Sequence, residues 1–284
     1  MAVSKTFTIG NDRHVRRLGY GAMRLTGQPG NFGPYADWES GKKLLRRAVG
    51  VGVNFIDTAR AYGPGWNERL IADALFPYPP DLVIATKGGI VKKSATERYL
   101  DGTLAGLRRD CEESLRNLRL DRIELYQLHW VDPKTPLEES VSALAKLREE
   151  GKIGHIGLSN VTLDQLGLAV RLVPITSVQN RYSFSDRNDD AVVDYCAGEG
   201  IAFLPYGPLG GDPFEPGSPL ARPEGELAEI AARQQVTTAQ LALAWLLRRA
   251  PNIIAIPGTT SIAHLEENVA AANLQLNDVL AGLG

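Results

Sequence analysis

The stretch VNFID at residues 53–57 is a short apolar run that ends in a single carboxylate. The same pattern recurs as LVIATK at residues 82–87 and as IELYQLH at residues 123–129, which end in a lysine and a histidine. Short apolar runs between longer helical patterns are typical of buried parallel strands. Because successive parallel strands deliver their carboxyl ends to the same face of a sheet or barrel, we expect these three polar side chains to lie close together.

Strand and helix patterns alternate along the chain. The apolar runs predict eight strands, at residues 18–21, 53–56, 82–86, 123–128, 153–158, 176–179, 201–205 and 253–256. The stretches between them have helical periodicity, at residues 37–50, 67–75, 103–118, 137–150, 162–171, 188–199, 237–249 and 262–272. Eight such units in 284 residues predict an α/β fold of the (β/α)8 TIM barrel type rather than a doubly wound sheet.

Segments outside this alternation complete the predicted organisation. Residues 6–9 and 15–18 flank a Gly-Asn-Asp turn and predict a short N-terminal β-hairpin. A stretch rich in Gly and Pro at residues 207–225 follows the seventh strand and is predicted to be a long loop over the active face. No linker divides the chain, so we expect one domain across residues 1–284.

The composition argues against several kinds of partner. With 44% hydrophobic and 23% charged residues and a net charge of -2, the chain has no electrostatic case for binding nucleic acid or an anionic membrane. It contains no apolar run of membrane-spanning length and no apolar signal segment at its start, and its two cysteines predict no disulfide framework. The four histidines lack the spacing of a zinc site, so no metal is expected. We expect a cytoplasmic protein.

A tyrosine follows the first of the three polar strand ends by one short loop. The pKa of a free tyrosine is about 10, but a neighbouring lysine favours the phenolate, and an aspartate beside the lysine keeps the ammonium charged. Asp57, Lys87 and Tyr62 are therefore predicted to form one acid unit in which the pKa of Tyr62 is lowered. His129 would orient a carbonyl oxygen or assist the proton. Four such residues on one rim predict a proton-donating catalytic site.

Motifs along nearly the whole chain resemble those of the aldo-keto reductases. They are DTARAYGPGWNE at 57–68, TK at 86–87, LHW at 128–130, IGLSN at 156–160, VQN at 178–180, YGPLG at 206–210, IPGT at 256–259 and HLEEN at 264–268. The resemblance implies a (β/α)8 barrel and hydride transfer between NADPH and a small-molecule carbonyl substrate. It also implies that Asp57, Tyr62, Lys87 and His129 are the catalytic residues.

The same resemblance implies a cofactor site. Ser159, Asn160 and Gln179 would hold the nicotinamide carboxamide, and Tyr206 would stack on the nicotinamide ring. An amide needs paired donors and acceptors to fix its orientation, and an aromatic side chain supplies a flat apolar surface. The other cofactor-binding residues implied in this way are Gly21, Met23, Pro208, Leu209, Gly210, Ile256, Gly258, Thr259, Thr260 and His264, with Glu267 and Asn268 against the adenine.

The adenine end departs from the family pattern. Many members carry a lysine or arginine at the position of Gly258 and an arginine at that of His264, both directed at the 2′-phosphate of NADP. This chain instead has hydroxyl groups at residues 259–261, where the start of a helix favours an anion. We expect NADPH as cofactor, with NADH as an alternative.

Substrate choice is expected to depend on the mouth of the barrel. Met23, Trp66 and Trp130 are predicted to line it. The surrounding loops are predicted at residues 25–35, 130–135 and 207–222. The chain is similar to bacterial pyridoxal reductase-like members of the family at residues 18–24, 32–34 and 263–268. These patterns specify neither the individual aldehyde or ketone nor the oligomeric state.

The sequence leaves two other classes of function open. A barrel lyase or aldolase could use Lys87 as a Schiff-base nucleophile, although an ion pair with Asp57 would keep that lysine protonated. A non-catalytic regulatory subunit that senses nicotinamide nucleotides could retain the same barrel. The presence of all four catalytic residue types argues against the regulatory alternative.

Overall fold

The computed structural model describes residues 4–210 and 226–274. Its strands are β1 (Thr6–Ile9), β2 (Arg13–Arg16), β3 (Tyr20–Gly21), β4 (Phe55–Asp57), β5 (Val83–Gly88), β6 (Ile90–Lys92), β7 (Arg98–Leu100), β8 (Ile123–Leu128), β9 (Ile153–Ser159), β10 (Ile175–Gln179) and β11 (Ala202–Phe203). Its α-helices are α1 (Trp38–Gly50), α2 (Trp66–Leu75), α3 (Leu104–Leu118), α4 (Leu137–Glu149), α5 (Leu163–Val170), α6 (Asp190–Gly198), α7 (Glu226–Arg233), α8 (Thr238–Arg249) and α9 (Ile262–Ala270), and short 3₁₀ helices lie at Ala22–Arg24 and Ala271–Asn273.

Seven strands form one parallel sheet in the order β3, β4, β5, β8, β9, β10, β11. The predicted eighth strand is a bridging segment rather than a regular strand. Within it, Ile253 pairs with Phe203 of β11, and Ala255 pairs with Leu18 just before β3. Gly19 also donates a backbone hydrogen bond to the carbonyl of Ala255, at 2.8 Å. These contacts close the sheet, and the predicted (β/α)8 barrel is confirmed.

The strand register brings the polar strand ends to one rim. Lys87 pairs with Gln127 across β5 and β8, and Ser159 pairs with Gln179 across β9 and β10. Asp57 ends β4 beside them. Because all these strands are parallel, their carboxyl ends share one face, as the apolar runs predicted.

The N-terminal hairpin covers the opposite end of the barrel. Ile9 of β1 and Val15 of β2 are fully buried, in the same apolar cluster as Phe55, Val83 and Leu125 from the barrel strands. This cluster fills the barrel interior below the rim. The packed interior supports the polar site from beneath.

Most helices begin within one or two residues of the predicted positions because their N-cap side chains fix the first turn. Asp37, Thr103, Thr162, Thr237 and Ser261 each accept a hydrogen bond from a backbone N–H of the following helix. None of the helices within the described ranges is long and apolar enough to cross a bilayer.

Several details differ from the sequence-based expectation. The second strand of the first hairpin begins at Arg13 rather than at residue 15, since the tight turn pairs Ile9 directly with Arg13. The antiparallel pair of β6 and β7 was not predicted, and neither was α7 before α8. Of the predicted loop at 207–225, only residues 207–210 belong to the described part of the chain, so the rest of that prediction lies outside it.

Candidate active site

Asp57 and Lys87 form a buried ion pair at the base of the barrel mouth. The Lys87 Nζ atom donates hydrogen bonds to Asp57 Oδ1 at 2.9 Å, to Asp57 Oδ2 at 2.7 Å and to the Thr58 carbonyl at 2.8 Å. Gln179 Nε2 donates to Asp57 Oδ1 at 2.8 Å. Burial lowers the pKa of Lys87 below its ordinary value, whereas the Asp57 carboxylate opposes that shift. The three donors of the ammonium are thus matched by three acceptors.

The Tyr62 ring lies against this ion pair. Its centroid is 5.3 Å from Lys87 Nζ, and it meets the His129 ring edge to face, with 5.8 Å between centroids. Burial, and then the charges of Asp57 and Tyr206, raise the pKa of Tyr62 well above its ordinary value. The expected lowering of this pKa is therefore wrong, because desolvation dominates and the negative charge of Asp57 adds to it. Tyr62 is a neutral phenol that retains its proton.

His129 directly follows β8, and its backbone N–H donates to the carbonyl of Gly88 at 2.9 Å. Its ring atom Nδ1 is buried and has no hydrogen-bond partner within the described residues. Burial lowers the pKa of His129 well below its ordinary value, with further lowering by the positive charges of Lys87, Arg98 and Lys92. The imidazole is therefore neutral at physiological pH and can offer either a donor or an acceptor.

A cavity of about 110 Å³ that opens to solvent lies in the barrel mouth. Asp57, Tyr62 and His129 line it, whereas Lys87 is fully buried behind its wall. The predicted cofactor residues that line the same cavity are Gly21, Met23, Ser159, Asn160, Gln179, Tyr206, Pro208, Leu209, Ile256 and Gly258. The structure thus brings three predicted catalytic side chains and this set together on one cavity wall.

Polar side chains at the centre of the cavity are linked by hydrogen bonds. The Tyr206 hydroxyl donates to Asn160 Oδ1 at 2.9 Å. Asn160 Nδ2 in turn lies 2.9 Å from Ser159 Oγ and 3.1 Å from the carbonyl oxygen of His129. These bonds hold the aromatic ring and the amide in fixed positions after β11 and β9, on the two sides of β10. The arrangement can bind a flat polar ring whose orientation matters.

The remaining predicted cofactor residues do not line this cavity, namely Gly210, Thr259, Thr260, His264, Glu267 and Asn268. At the start of α9, Thr259 Oγ1 accepts a hydrogen bond from the Ser261 amide at 3.0 Å, and Ser261 caps the helix. Both hydroxyl groups keep their own proton to donate. His264 is exposed, and Glu267 accepts a hydrogen bond from Thr237 Oγ1 at 2.5 Å.

The predicted substrate residues separate into two groups. Met23 and Trp130 line the cavity. Trp66, as the first residue of α2, instead lies edge to face with Trp38 of α1 at 6.1 Å and under the Arg69 guanidinium at 5.0 Å. The structure therefore does not bring Trp66 to the cavity, because the start of α2 directs this side chain toward α1.

Three residues that the sequence reasoning missed also line the cavity, namely Arg24, Gly207 and Pro257. Gly207 and Pro257 lie inside motifs that were singled out, between residues already assigned to the cofactor. Arg24 directly follows Met23 at the end of the first barrel strand. A charged side chain after an apolar strand was the signal used for Asp57 and Lys87, and it could have identified Arg24 as well.

Comparison with known proteins shows the family. The aldo/keto reductase family profile matches residues 17–279. Pyridoxine 4-dehydrogenase of Escherichia coli strain K12 is 43% identical over 281 residues, which cover 97% of this chain and 95% of that protein. A solved glycerol dehydrogenase from Gluconobacter oxydans superimposes with a TM-score of 0.84 at 25% identity, covering 100% of this chain and 95% of the other. An aldo-keto reductase from Klebsiella pneumoniae, solved in complex with NADPH, has a TM-score of 0.82 at 29% identity over 99% and 94% of the two chains.

The profile match spans the barrel and every residue of the candidate site. The Escherichia coli relative and the Klebsiella pneumoniae structure align with this chain over 95% and 94% of their own lengths. The chain belongs to the aldo/keto reductase family.

Proposed function

We propose that the protein reduces an aldehyde or ketone to the alcohol with NADPH as the hydride donor and Tyr62 as the proton donor. One observation carries the proposal most strongly. A neutral phenol, a neutral imidazole and a buried aspartate–lysine pair meet at the same cavity that holds the candidate nicotinamide residues. When bound, NADPH supplies the hydride to the carbonyl carbon.

Each catalytic residue has a distinct task in this proposal. Tyr62 donates its proton to the carbonyl oxygen as negative charge develops there. Lys87 lies under the Tyr62 ring, and its positive charge stabilises the phenolate that remains. Asp57 holds that ammonium in place through two hydrogen bonds. His129 stays neutral and orients the carbonyl oxygen through a ring nitrogen.

The residues of the cavity also fit a nicotinamide. The Asn160 side chain and the Ser159 hydroxyl can bind the carboxamide, and the Tyr206 ring is held in place by its hydroxyl. Gln179 would keep its bond to Asp57 and so join the cofactor site to the catalytic pair. At the other end, the hydroxyls at residues 259–261 and the start of α9 would bind the adenosine phosphate.

Two observations disfavour the alternatives. A Schiff-base lyase needs a free amine, but Lys87 is fully buried and its ammonium is hydrogen-bonded to Asp57 and Thr58. A purely regulatory subunit has no need for a proton donor beside a buried ion pair, yet Tyr62 and its partners are all present. The enzyme assignment is therefore the better supported one.

An aromatic aldehyde of the pyridoxal type is the proposed substrate class. A relative with 43% identity is named pyridoxine 4-dehydrogenase, and oxidation of an alcohol is the reverse of the reduction proposed here. Met23 and Trp130 supply apolar surface beside His129 and Tyr62 for such a ring. We also propose one catalytic domain across residues 1–284 and a cytoplasmic location, since both cysteines are buried and unpaired.

A substrate panel tests this function. The purified protein should oxidise NADPH only when an aldehyde or ketone is added, and pyridoxal should be reduced with a higher kcat/KM than short aliphatic aldehydes. Formation of the alcohol in step with NADPH loss would support the reaction. Absence of NADPH oxidation with every carbonyl compound, despite measurable NADPH binding, would instead favour the regulatory alternative.

A further inference from the structure

Arg24 is a cation on the cavity wall that has no partner among residues 4–210 and 226–274. It ends the short 3₁₀ helix Ala22–Arg24, which follows β3, and its side chain lines the cavity. Among the described residues, no hydrogen bond or ion pair holds its guanidinium. Other arginines of this chain are paired, such as Arg60 with Glu113 and Arg108 with Glu150. A guanidinium offers five N–H donors, so Arg24 has capacity for an anion.

The surroundings of Arg24 also favour an anion. Asp57 is the only acidic side chain among the described residues that line the cavity, and Lys87 already neutralises it. No second carboxylate competes for the guanidinium there. A positive charge in a partly enclosed cleft attracts anionic groups more strongly than a charge on an open surface does.

Arg24 lies beside the position where this chain carries no cation. A Cβ atom placed at Gly258 would lie 2.8 Å from the Gly21 carbonyl oxygen and 3.8 Å from Arg24 Cγ. The backbone at Gly21 thus leaves little room for a side chain at 258, and the aliphatic stem of Arg24 occupies the adjacent space. The positive charge beside Gly258 is instead that of Arg24, which follows the first barrel strand.

The barrel order places this charge away from the reacting carbonyl. Arg24 follows the first strand of the barrel, which is closed by the segment that leads to Gly258. His129 follows β8, the fourth strand around the barrel, on the opposite side. An anion at Arg24 therefore belongs to the part of a ligand that extends from the nicotinamide pocket toward Gly258 and the start of α9.

We propose that Arg24 binds a phosphate group of the dinucleotide cofactor. This inference rests on the proposed use of NADPH and extends it by one binding residue. The guanidinium can donate two parallel hydrogen bonds to phosphate oxygens, which suits its geometry better than that of a lysine. The phosphate is either the 2′-phosphate, present only in NADPH, or the pyrophosphate, shared with NADH.

Titrations of NADPH and NADH into wild type, Arg24→Gln and Arg24→Lys, followed by protein fluorescence, test the proposal. Loss of a charge-assisted hydrogen bond should weaken NADPH binding to Arg24→Gln by about tenfold or more, with a smaller loss for Arg24→Lys. Weaker binding of NADPH alone identifies the 2′-phosphate as the ligand, and weaker binding of both cofactors identifies the pyrophosphate. Arg108→Gln, which removes the same charge from the outer surface, should bind both cofactors as wild type does.

Other outcomes would overturn the proposal. If wild type binds NADPH and both Arg24 variants bind it equally well, Arg24 does not contact a phosphate, and the proposed function is unaffected. A rise confined to the KM of an anionic carbonyl substrate would assign Arg24 to the substrate. If wild type itself binds neither NADPH nor NADH, the proposed function fails together with this inference. Should Arg24→Gln fail to fold, the Arg24→Lys titration still decides between these outcomes.

Discussion

The Lys87 ammonium and the Asp57 carboxylate are joined by two hydrogen bonds, of 2.9 and 2.7 Å, in a place where the lysine side chain has no solvent exposure. A charge pair buried in this way is costly to break, because the remaining partner has no water to solvate it. The pair therefore links stability to activity. Removal of one charge, compared with removal of both, separates these two roles.

Lys87→Met should lower the free energy of unfolding by about 3–5 kcal/mol, since it leaves Asp57 buried and unpaired. The double variant Asp57→Asn/Lys87→Met should recover much of that loss, because it removes both charges. Both variants should lack reductase activity, because both lack Lys87. Urea unfolding together with steady-state assays measures both properties. A double variant as unstable as Lys87→Met would show that the pair is not the source of the instability.

The hydrogen bonds of Lys87 also predict its chemical inertness. With acceptors at both Asp57 oxygens and at the Thr58 carbonyl, the ammonium is not a free amine. Treatment with borohydride in the presence of a carbonyl substrate should leave no adduct on Lys87, as judged by mass spectrometry of the peptide. A substrate-dependent reduced adduct at this residue would move the protein to the Schiff-base class.

The pKa shifts of His129 and Tyr62 predict a broad pH range for the reduction. Because the pKa of His129 is lowered, its neutral form persists to more acidic pH than an ordinary histidine allows. Because the pKa of Tyr62 is raised, its proton is retained to more alkaline pH. The kcat/KM for reduction should thus stay level from about pH 6 to about pH 9, across the ordinary histidine pKa. An acid limb near pH 6.5 that disappears in His129→Gln would contradict this assignment.

The cofactor preference is predicted to respond to His264. This residue is exposed in the first turn of α9, beside the hydroxyls at residues 259–261. His264→Arg should strengthen NADPH binding by about tenfold and leave NADH binding unchanged, since the added charge-assisted hydrogen bond would reach only the 2′-phosphate. Fluorescence titration of both cofactors measures this. Equal gains for both, or none, would mean that His264 does not face that phosphate.

The barrel and its polar rim could be predicted from sequence because both depend on local patterns. Apolar runs before Asp57 and Lys87 fix strand position, and parallel strands then impose a common rim. The β6–β7 pair was missed because its second strand, Arg98–Leu100, is mostly exposed and lacks an apolar pattern. The eighth strand position was correct, although only bridges mark it in the structure.

Side-chain energetics were less accessible from sequence than strand position. The pKa of Tyr62 depends on how far burial outweighs Lys87, and that balance follows from packing rather than spacing. Trp66 shares a motif with Tyr62, yet the first turn of α2 directs it toward Trp38. Arg24 lies within a motif noted for its resemblance, but only the three-dimensional structure shows that no described residue pairs with it.

Single-turnover reduction by Tyr62→Phe, with enzyme saturated by NADPH, tests the central claim most directly. The rate of NADPH oxidation should fall by about a hundredfold or more, while NADPH affinity stays unchanged, because the phenol acts only as charge develops on the carbonyl oxygen. Tyr195→Phe, on the outer helix α6, is the matched control and should react as wild type does. A wild-type rate in Tyr62→Phe would contradict the assignment of Tyr62 as the proton donor.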